Sequence, residues 1–152
     1  MINEYEINSE TLALFSIENK LSKVIEKDSE ILVKKNPIEI IDDSCKYFGS
    51  SYNGRFEGTK KMIGKNYKAP IIIEESNEVI FFPTHSPRNN ECIWINLNEI
   101  KKIEKLSNNS KILFKNGKEI NLLISFGILE NQILRANLLK TTINSRKPFI
   151  KY

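Results

Sequence analysis

Asn116-Gly117 is the strongest turn signal in this chain, and it dictates how the residues on either side must meet. A type I′ hairpin turn needs φ > 0 at both central positions, which Asn and Gly tolerate better than most residues. The pair predicts a hairpin between Lys111–Lys115 and Glu119–Ile124. Short runs of β-branched and aromatic residues extend the pattern to both sides. Cys92–Leu97 and Ile100–Leu106 read as the earlier strands of one meander with that hairpin, with Ser107-Asn108-Asn109 as a turn. Pro70–Glu74 and Val79–Phe82 flank Glu75-Ser76-Asn77-Glu78 as another hairpin, and Pro83–Asn90 reads as an exposed loop. In the first thirty-five residues, Tyr5 with Ile7, Thr11–Ile17, Val24 with Ile25, and Ile31–Val33 read as short antiparallel strands.

Two segments switch to a helical period. Asn36-Pro37-Ile38-Glu39 carries an N-cap, a proline at the first position and a glutamate three residues after the cap. Ile38, Ile41, Cys45 and Phe48 continue it as one stripe, and Gly49 is the natural stop. A second short basic helix is expected to run to about Gly64. At the other end Phe126, Leu129, Ile133, Ala136, Leu139 and Ile143 form the stripe of a helix capped by Ser125. The expected fold is α+β: mostly antiparallel strands, a helical insertion near 37–64 that could stand apart from the sheet, and a C-terminal amphipathic helix. One domain over residues 1–152 accounts for the length, and 40% apolar content allows a real core.

Composition narrows the function classes. No run approaches the ~20 apolar residues a bilayer needs, and Glu4, Glu6 and Glu10 do not suit a signal or transit peptide, so the expected compartment is the cytoplasm. Cys45 and Cys92 form no C-x-x-C pair and His85 has no neighbour at ligand spacing, so neither a metal nor a cofactor is expected, and both cysteines read as core residues. His85 sits in a loop, and Asp42 and Asp43, adjacent on a helix, do not face each other. No catalytic residues are assigned, and the chain is not read as an enzyme. The net charge of +4 arises in blocks: residues 31–70 and 101–152 are basic, whereas 1–30 and 71–100 are acidic. If the basic blocks meet in space they form one face able to displace counterions from a nucleic acid. Alternatively, Lys101, Lys102, Lys105, Lys111, Lys115 and Lys118 simply solubilise strand edges.

The segment Cys45–Lys60, CKYFGSSYNGRFEGTK, concentrates glycines, aromatics and cations. Gly49, Gly54 and Gly58 allow φ > 0 or a close approach by another molecule. Lys46, Ser50, Ser51, Tyr52, Asn53, Arg55, Lys60 and Lys61 supply donors and positive charge, a mixture suited to phosphates and to a nucleic-acid groove. The same residues also fit a packed glycine turn with solvated cations. Gly49–Arg55 superficially matches a P-loop, but Arg55 stands for its lysine, Phe56 for its metal-binding hydroxyl, and a helix precedes it. Nucleotide hydrolysis is set aside on those grounds. Trp94, between Ile93 and Ile95, reads as core. Asn131, Gln132 and Arg135 fall off the last helix's stripe and are either exposed or paired with the sheet.

Four strings, IEKDSEILVKKNPIEIIDDSCKYFGSSYNGR, PIIIEESNEVIFFPT, KNGKEINLLIS and ENQILRA, stand in the order and spacing of the bacterial competence transcription factors, ComK. The chain resembles that family over most of its length. The resemblance implies a sequence-specific DNA-binding activator of genes for DNA uptake in low-GC Gram-positive bacteria. It implies recognition of paired A/T-rich boxes through the minor groove of double-stranded DNA, self-association on the promoter, and contact with RNA polymerase. Family members carry a longer tail tied to activation and to capture by an adaptor that delivers them to a protease. Phe149–Tyr152 reads as a vestige of that tail, so a short paralogue is implied, with adaptor control not assured.

Two other readings stay open: a non-catalytic protein-interaction module, and single-strand or RNA binding through Tyr47, Tyr52 and Phe56. Within the DNA reading, Arg55 and Asn53 are the groove-reading candidates and the lysines act on phosphates. Arg55→Ala is expected to erode preference for A/T boxes by about 1 to 3 kcal/mol. Titration of the variant against A/T-box and G/C-rich duplexes checks this, and an unchanged affinity and preference would remove Arg55 from the site.

Overall fold

The computed structural model describes residues 1–65 and 67–147, so Phe149–Tyr152 lies outside the described residues. Strands β1 (Thr11–Glu18), β2 (Leu21–Glu26) and β3 (Glu30–Val33) form one meander. Helices α1 (Pro37–Tyr47) and α2 (Tyr52–Ile63) follow, and then β4 (Ile71–Glu74), β5 (Val79–Pro83) and β6 (Ile93–Asn96) form a second meander. The two join edge to edge in one antiparallel sheet of order β3-β2-β1-β6-β5-β4. After a 3-10 turn at Leu97–Glu99, β7 (Ile100–Leu106), β8 (Asn109–Phe114) and β9 (Glu119–Leu122) make a separate three-stranded sheet, and α3 (Phe126–Arg146) ends the fold.

The six-stranded sheet is apolar on both faces, which explains the uninterrupted runs Ile71-Ile72-Ile73 and Ile80-Phe81-Phe82. On one face Leu14, Val24, Ile71, Phe81 and Trp94 pack against Ile40, Ile41 and Cys45 of α1. On the other, Ala13, Ile72, Phe82 and Ile95 pack against Ile112, Phe114 and Leu122 of the small sheet and Leu129, Ala136 and Leu139 of α3. The architecture is α+β, with antiparallel strands as expected. Trp94 is fully buried, and Cys45 and Cys92 are free core thiols.

Four expectations are corrected. Tyr5 and Ile7 form no strand: Ile7 N donates to Ser44 Oγ at 2.9 Å and Tyr5 bonds Thr11 and Glu26, so both are buried by side-chain anchoring. The strand at Ile93–Asn96 does not belong to the C-terminal meander, because the Leu97–Glu99 turn redirects the chain from one sheet to the other. The helical pair does not stand apart; Ile40, Ile41 and Cys45 are fully buried on the sheet, and Thr59 of α2 is pinned to Pro70 O at 2.7 Å. The Asn116-Gly117 hairpin forms, but only Gly117 has positive φ (+94°). Gly117 N donates to Phe114 O at 3.0 Å and Phe114 N to Lys118 O at 2.8 Å, the pattern of a three-residue turn closed by a glycine bulge.

Burial pushes the Cys45 thiol up to about 12 and the Cys92 thiol up to about 11. In the unfolded chain both ionise near about 8.5, so above that pH the unfolded state sheds protons that the native state keeps. Their contribution to stability is full below that value and declines as the pH rises through it. Urea midpoints are expected to fall between neutral pH and about pH 10, with a smaller fall in Cys92→Ala. Equal pH dependence in the two proteins would contradict a buried neutral thiol.

Candidate nucleic-acid interface

The α1–α2 connection is built by its glycines and serines. Gly49 (φ +87°) takes the left-handed position after α1, with Gly49 N bonding Lys46 O at 3.0 Å and Ser50 N bonding Cys45 O at 2.9 Å, a Schellman ending. Ser51 caps α2, its Oγ accepting from Gly54 N at 2.9 Å. A Cβ on Gly54 would meet Ser50 Oγ at 3.1 Å and Ser51 Oγ at 3.2 Å, so this glycine admits a close approach. Gly58 has neither property, since its nearest neighbour is the flexible end of Met62. Tyr52 N donates to Asp42 Oδ1 at 2.8 Å, tying α2 back to α1. That backbone bond, with the adjacent Lys46, holds the Asp42 carboxyl below its usual range.

The eight residues singled out in the sequence do not converge on one point. Lys46 is exposed but paired with Asp42 at 3.0 Å. The Ser50 and Ser51 hydroxyls crowd Gly54. The Tyr52 ring is half-buried, stacked on Phe56 at 6.1 Å and edge-on to Trp94 at 6.4 Å, which occupies much of its surface with packing. Arg55 turns partly inward, its Nε buried without a hydrogen-bond partner and its charge acting on Cys45. Asn53 is exposed, as are Lys60 and Lys61 in the last turn of α2. At about 1.5 Å per residue, Tyr52 and Lys61 lie about 14 Å apart along the helix.

Asn53 and Tyr52 open onto a cavity of about 540 Å³ completed by residues the sequence left out: Tyr67, Lys68 and Arg88. Lys68 lies over the Tyr67 ring at 5.7 Å. Arg135 of α3 reaches the same loop, its Nη1 donating to Tyr67 O at 2.9 Å. Lys60, Lys61, Lys65, Lys68, Arg88 and Arg135 therefore run along α2, the adjoining loop, the β5–β6 loop and α3. None of the six has a carboxylate partner among the described residues. The two basic blocks thus meet in part, at Arg135. By contrast Lys102 and Lys111 are neutralised by Glu104, and Lys111 also by Glu119. Among the described residues no group of three or more His, Cys, Asp or Glu is placed to hold a metal, and no helix is long and apolar enough to cross a membrane.

The ENQILRA string supplies the anchor of this face. Asn131 is exposed, whereas Gln132 is buried; its Nε2 donates to Lys68 O at 2.9 Å and Pro83 O at 2.8 Å, and its Oε1 accepts from Arg135 at 2.8 Å. Gln132, expected off the apolar stripe, lies on it, three residues after Leu129 and four before Ala136, and that spacing was the available signal for this role. Gln132→Leu strands two carbonyls and is expected to destabilise the fold by about 1 to 3 kcal/mol. A drop in the urea midpoint at unchanged slope checks it, and a neutral effect would mean that the carbonyls have other partners.

A family model described as ComK protein matches residues 2–148. The competence transcription factor of Bacillus subtilis (strain 168) is 37% identical over 149 residues, covering 95% of this chain and 78% of that protein. No solved structure gives a significant match. With the match running through the α1–α2 connection, the central hairpin and the Gln132–Arg135 anchor, the chain belongs to the ComK family.

Proposed function

We propose that this protein is a DNA-binding transcription regulator of the competence type, acting as one domain that recognises paired A/T-rich boxes through the minor groove. The observation that carries the reading is the set of cations without a carboxylate partner among the described residues, Lys60, Lys61, Lys65, Lys68, Arg88 and Arg135. Such a face suits a regular polyanion, because each phosphate neutralised releases condensed counterions. Membership of a family whose Bacillus subtilis relative is a competence transcription factor supports the regulatory role. Within this reading, Lys60, Lys61 and Lys68 hold phosphates and Asn53 and Tyr52 approach the sugars. Lys46, already neutralised by Asp42, contributes less. Paired boxes call for self-association on the promoter, and activation for contact with RNA polymerase.

A second reading, a non-catalytic protein-interaction module, draws on another place. Tyr47 and Phe48 stay 68% and 40% exposed beside a cavity lined by Ile73 and Val79. The two readings separate by salt and nuclease. Binding to an A/T-box duplex is expected to be tighter than to a G/C-rich control and to weaken steeply with salt. Lys60→Ala and Lys61→Ala should each lower the salt slope by about one, whereas Lys46→Ala should lower it less. Equal affinity for both duplexes would sink the DNA reading, and a protein partner retained at high salt after nuclease treatment would favour the module.

A further inference from the structure

The loop from β5 to β6 carries the single cation of the acidic segment 71–100, and the fold brings it to the basic face. Ser86-Pro87-Arg88-Asn89 is a hydrogen-bonded turn, with Asn89 N donating to Ser86 O at 2.8 Å. Pro87 occupies the second position, where its fixed φ pre-sets the turn. The turn is braced from the far side: Asn89 Oδ1 accepts from Glu91 N at 2.8 Å and Asn89 O from Cys92 N at 3.0 Å. At its base Thr84 Oγ1 accepts from Ile93 N at 2.9 Å. Arg88 therefore sits on a hydrogen-bonded turn, exposed and without a carboxylate partner among the described residues.

Arg88 also stands on the rim shared by two cavities. One, of about 540 Å³, holds Asn53 and Lys68; the other, of about 290 Å³, is lined with amides, among them Asn19, Asn36, Asn89 and Asn90. Cation, amides and a hydrogen-bonded turn coincide at one place.

We propose that Arg88 is the specificity-determining residue: its guanidinium enters the A/T minor groove, flanked by Asn89, Asn90 and Asn53, while Lys68 and the lysines of α2 hold the phosphates. This rests on the DNA reading above. A single arginine side chain carried on a turn fits a groove about 6 Å wide, whereas a helix of about 10 Å diameter does not. A/T tracts narrow that groove and deepen its negative potential, which attracts arginine. A guanidinium is more weakly hydrated than an ammonium, so it loses less on leaving water than a lysine would. Amides beside it suit the acceptors that A·T pairs present on that edge.

The test uses the full chain with Arg88→Lys and Arg88→Ala, on three duplexes of one length: an A/T-box site, the same site with G·C pairs, and the same site with inosine·C pairs. Inosine·C keeps the minor-groove edge of A·T and the major-groove acceptors of G·C. Wild type is expected to bind the A/T and inosine duplexes alike and the G·C duplex more weakly. Arg88→Lys is expected to reduce that preference at least about fivefold while keeping the wild-type affinity for G·C duplex and the wild-type salt slope. Arg88→Ala should lose the preference and also lower the slope by about one. If wild type discriminates but both variants keep its preference, Arg88 is only a phosphate contact and the inference fails. If wild type prefers A/T but treats inosine·C as G·C, readout is through the major groove; the inference and the minor-groove part of the proposed function then fail, while DNA binding itself stands. If wild type does not discriminate at all, the DNA reading fails and takes this inference with it.

Discussion

Leu14 lies opposite Trp94 where β1 pairs with β6, and that seam turns two three-stranded meanders into one sheet. A sheet assembled this way has two apolar faces, and each needs a cover. Helix α1 and the start of α2 supply one, and the small sheet with α3 supplies the other. The seam is reinforced off the ladder by Asn96, whose Nδ2 donates to Thr11 O at 3.0 Å in the buried interior. Trp94 does double duty there. Its ring meets Tyr52 edge-on, so the first residue of α2 is positioned by the central strand. The Arg88 turn runs directly into the same strand through Cys92 and Ile93, so both parts of the basic face are referenced to one buried pairing.

Local rules were legible wherever a residue's environment is set by its neighbours in sequence. Gly49, Gly64, Pro37 and Ser125 all take the terminal positions their chemistry favours. Asn36 was half legible: Glu39 returns to its backbone N–H at 3.1 Å, but its side chain accepts from Lys20 N at 2.7 Å, a tertiary use that no local pattern reveals. Sheet membership was not legible for β6, because a strand buried on both faces has the same apolar run whichever sheet it joins. The turn at Asn116-Gly117 was right in place and wrong in type, since a glycine bulge uses the same residues as a type I′ turn.

The candidate site was legible in composition but not in membership. Charge counted along the chain assigned Arg88 to an acidic block and Lys46 to a basic one. In space Lys46 has its own carboxylate one helical turn away, whereas Arg88 has no carboxylate partner among the described residues. The property that matters to a polyanion is a cation's distance from the nearest carboxylate, and only the fold supplies it. Gln132 shows the same limitation from the other side, a polar residue in an apolar stripe whose partners are 64 and 49 residues away in sequence.

These placements also decide what α2 can do on a duplex. Its inward residues, Phe56 and Thr59, are committed to the sheet and to Pro70, and its N-terminal N–H groups are partly taken by Ser51. The exposed side presents Asn53, Glu57, Lys60 and Lys61, with a carboxylate in the middle. A helix laid into the major groove would bring that carboxylate between two rows of phosphates, where like charge opposes it. Lying along one backbone, the same helix would meet that repulsion from one row of phosphates rather than two, with Lys60 and Lys61 one turn from Glu57 to offset it. On the proposed reading base contacts fall outside α2, and the hydrogen-bonded turn at Pro87-Arg88 carries the exposed arginine that would make them.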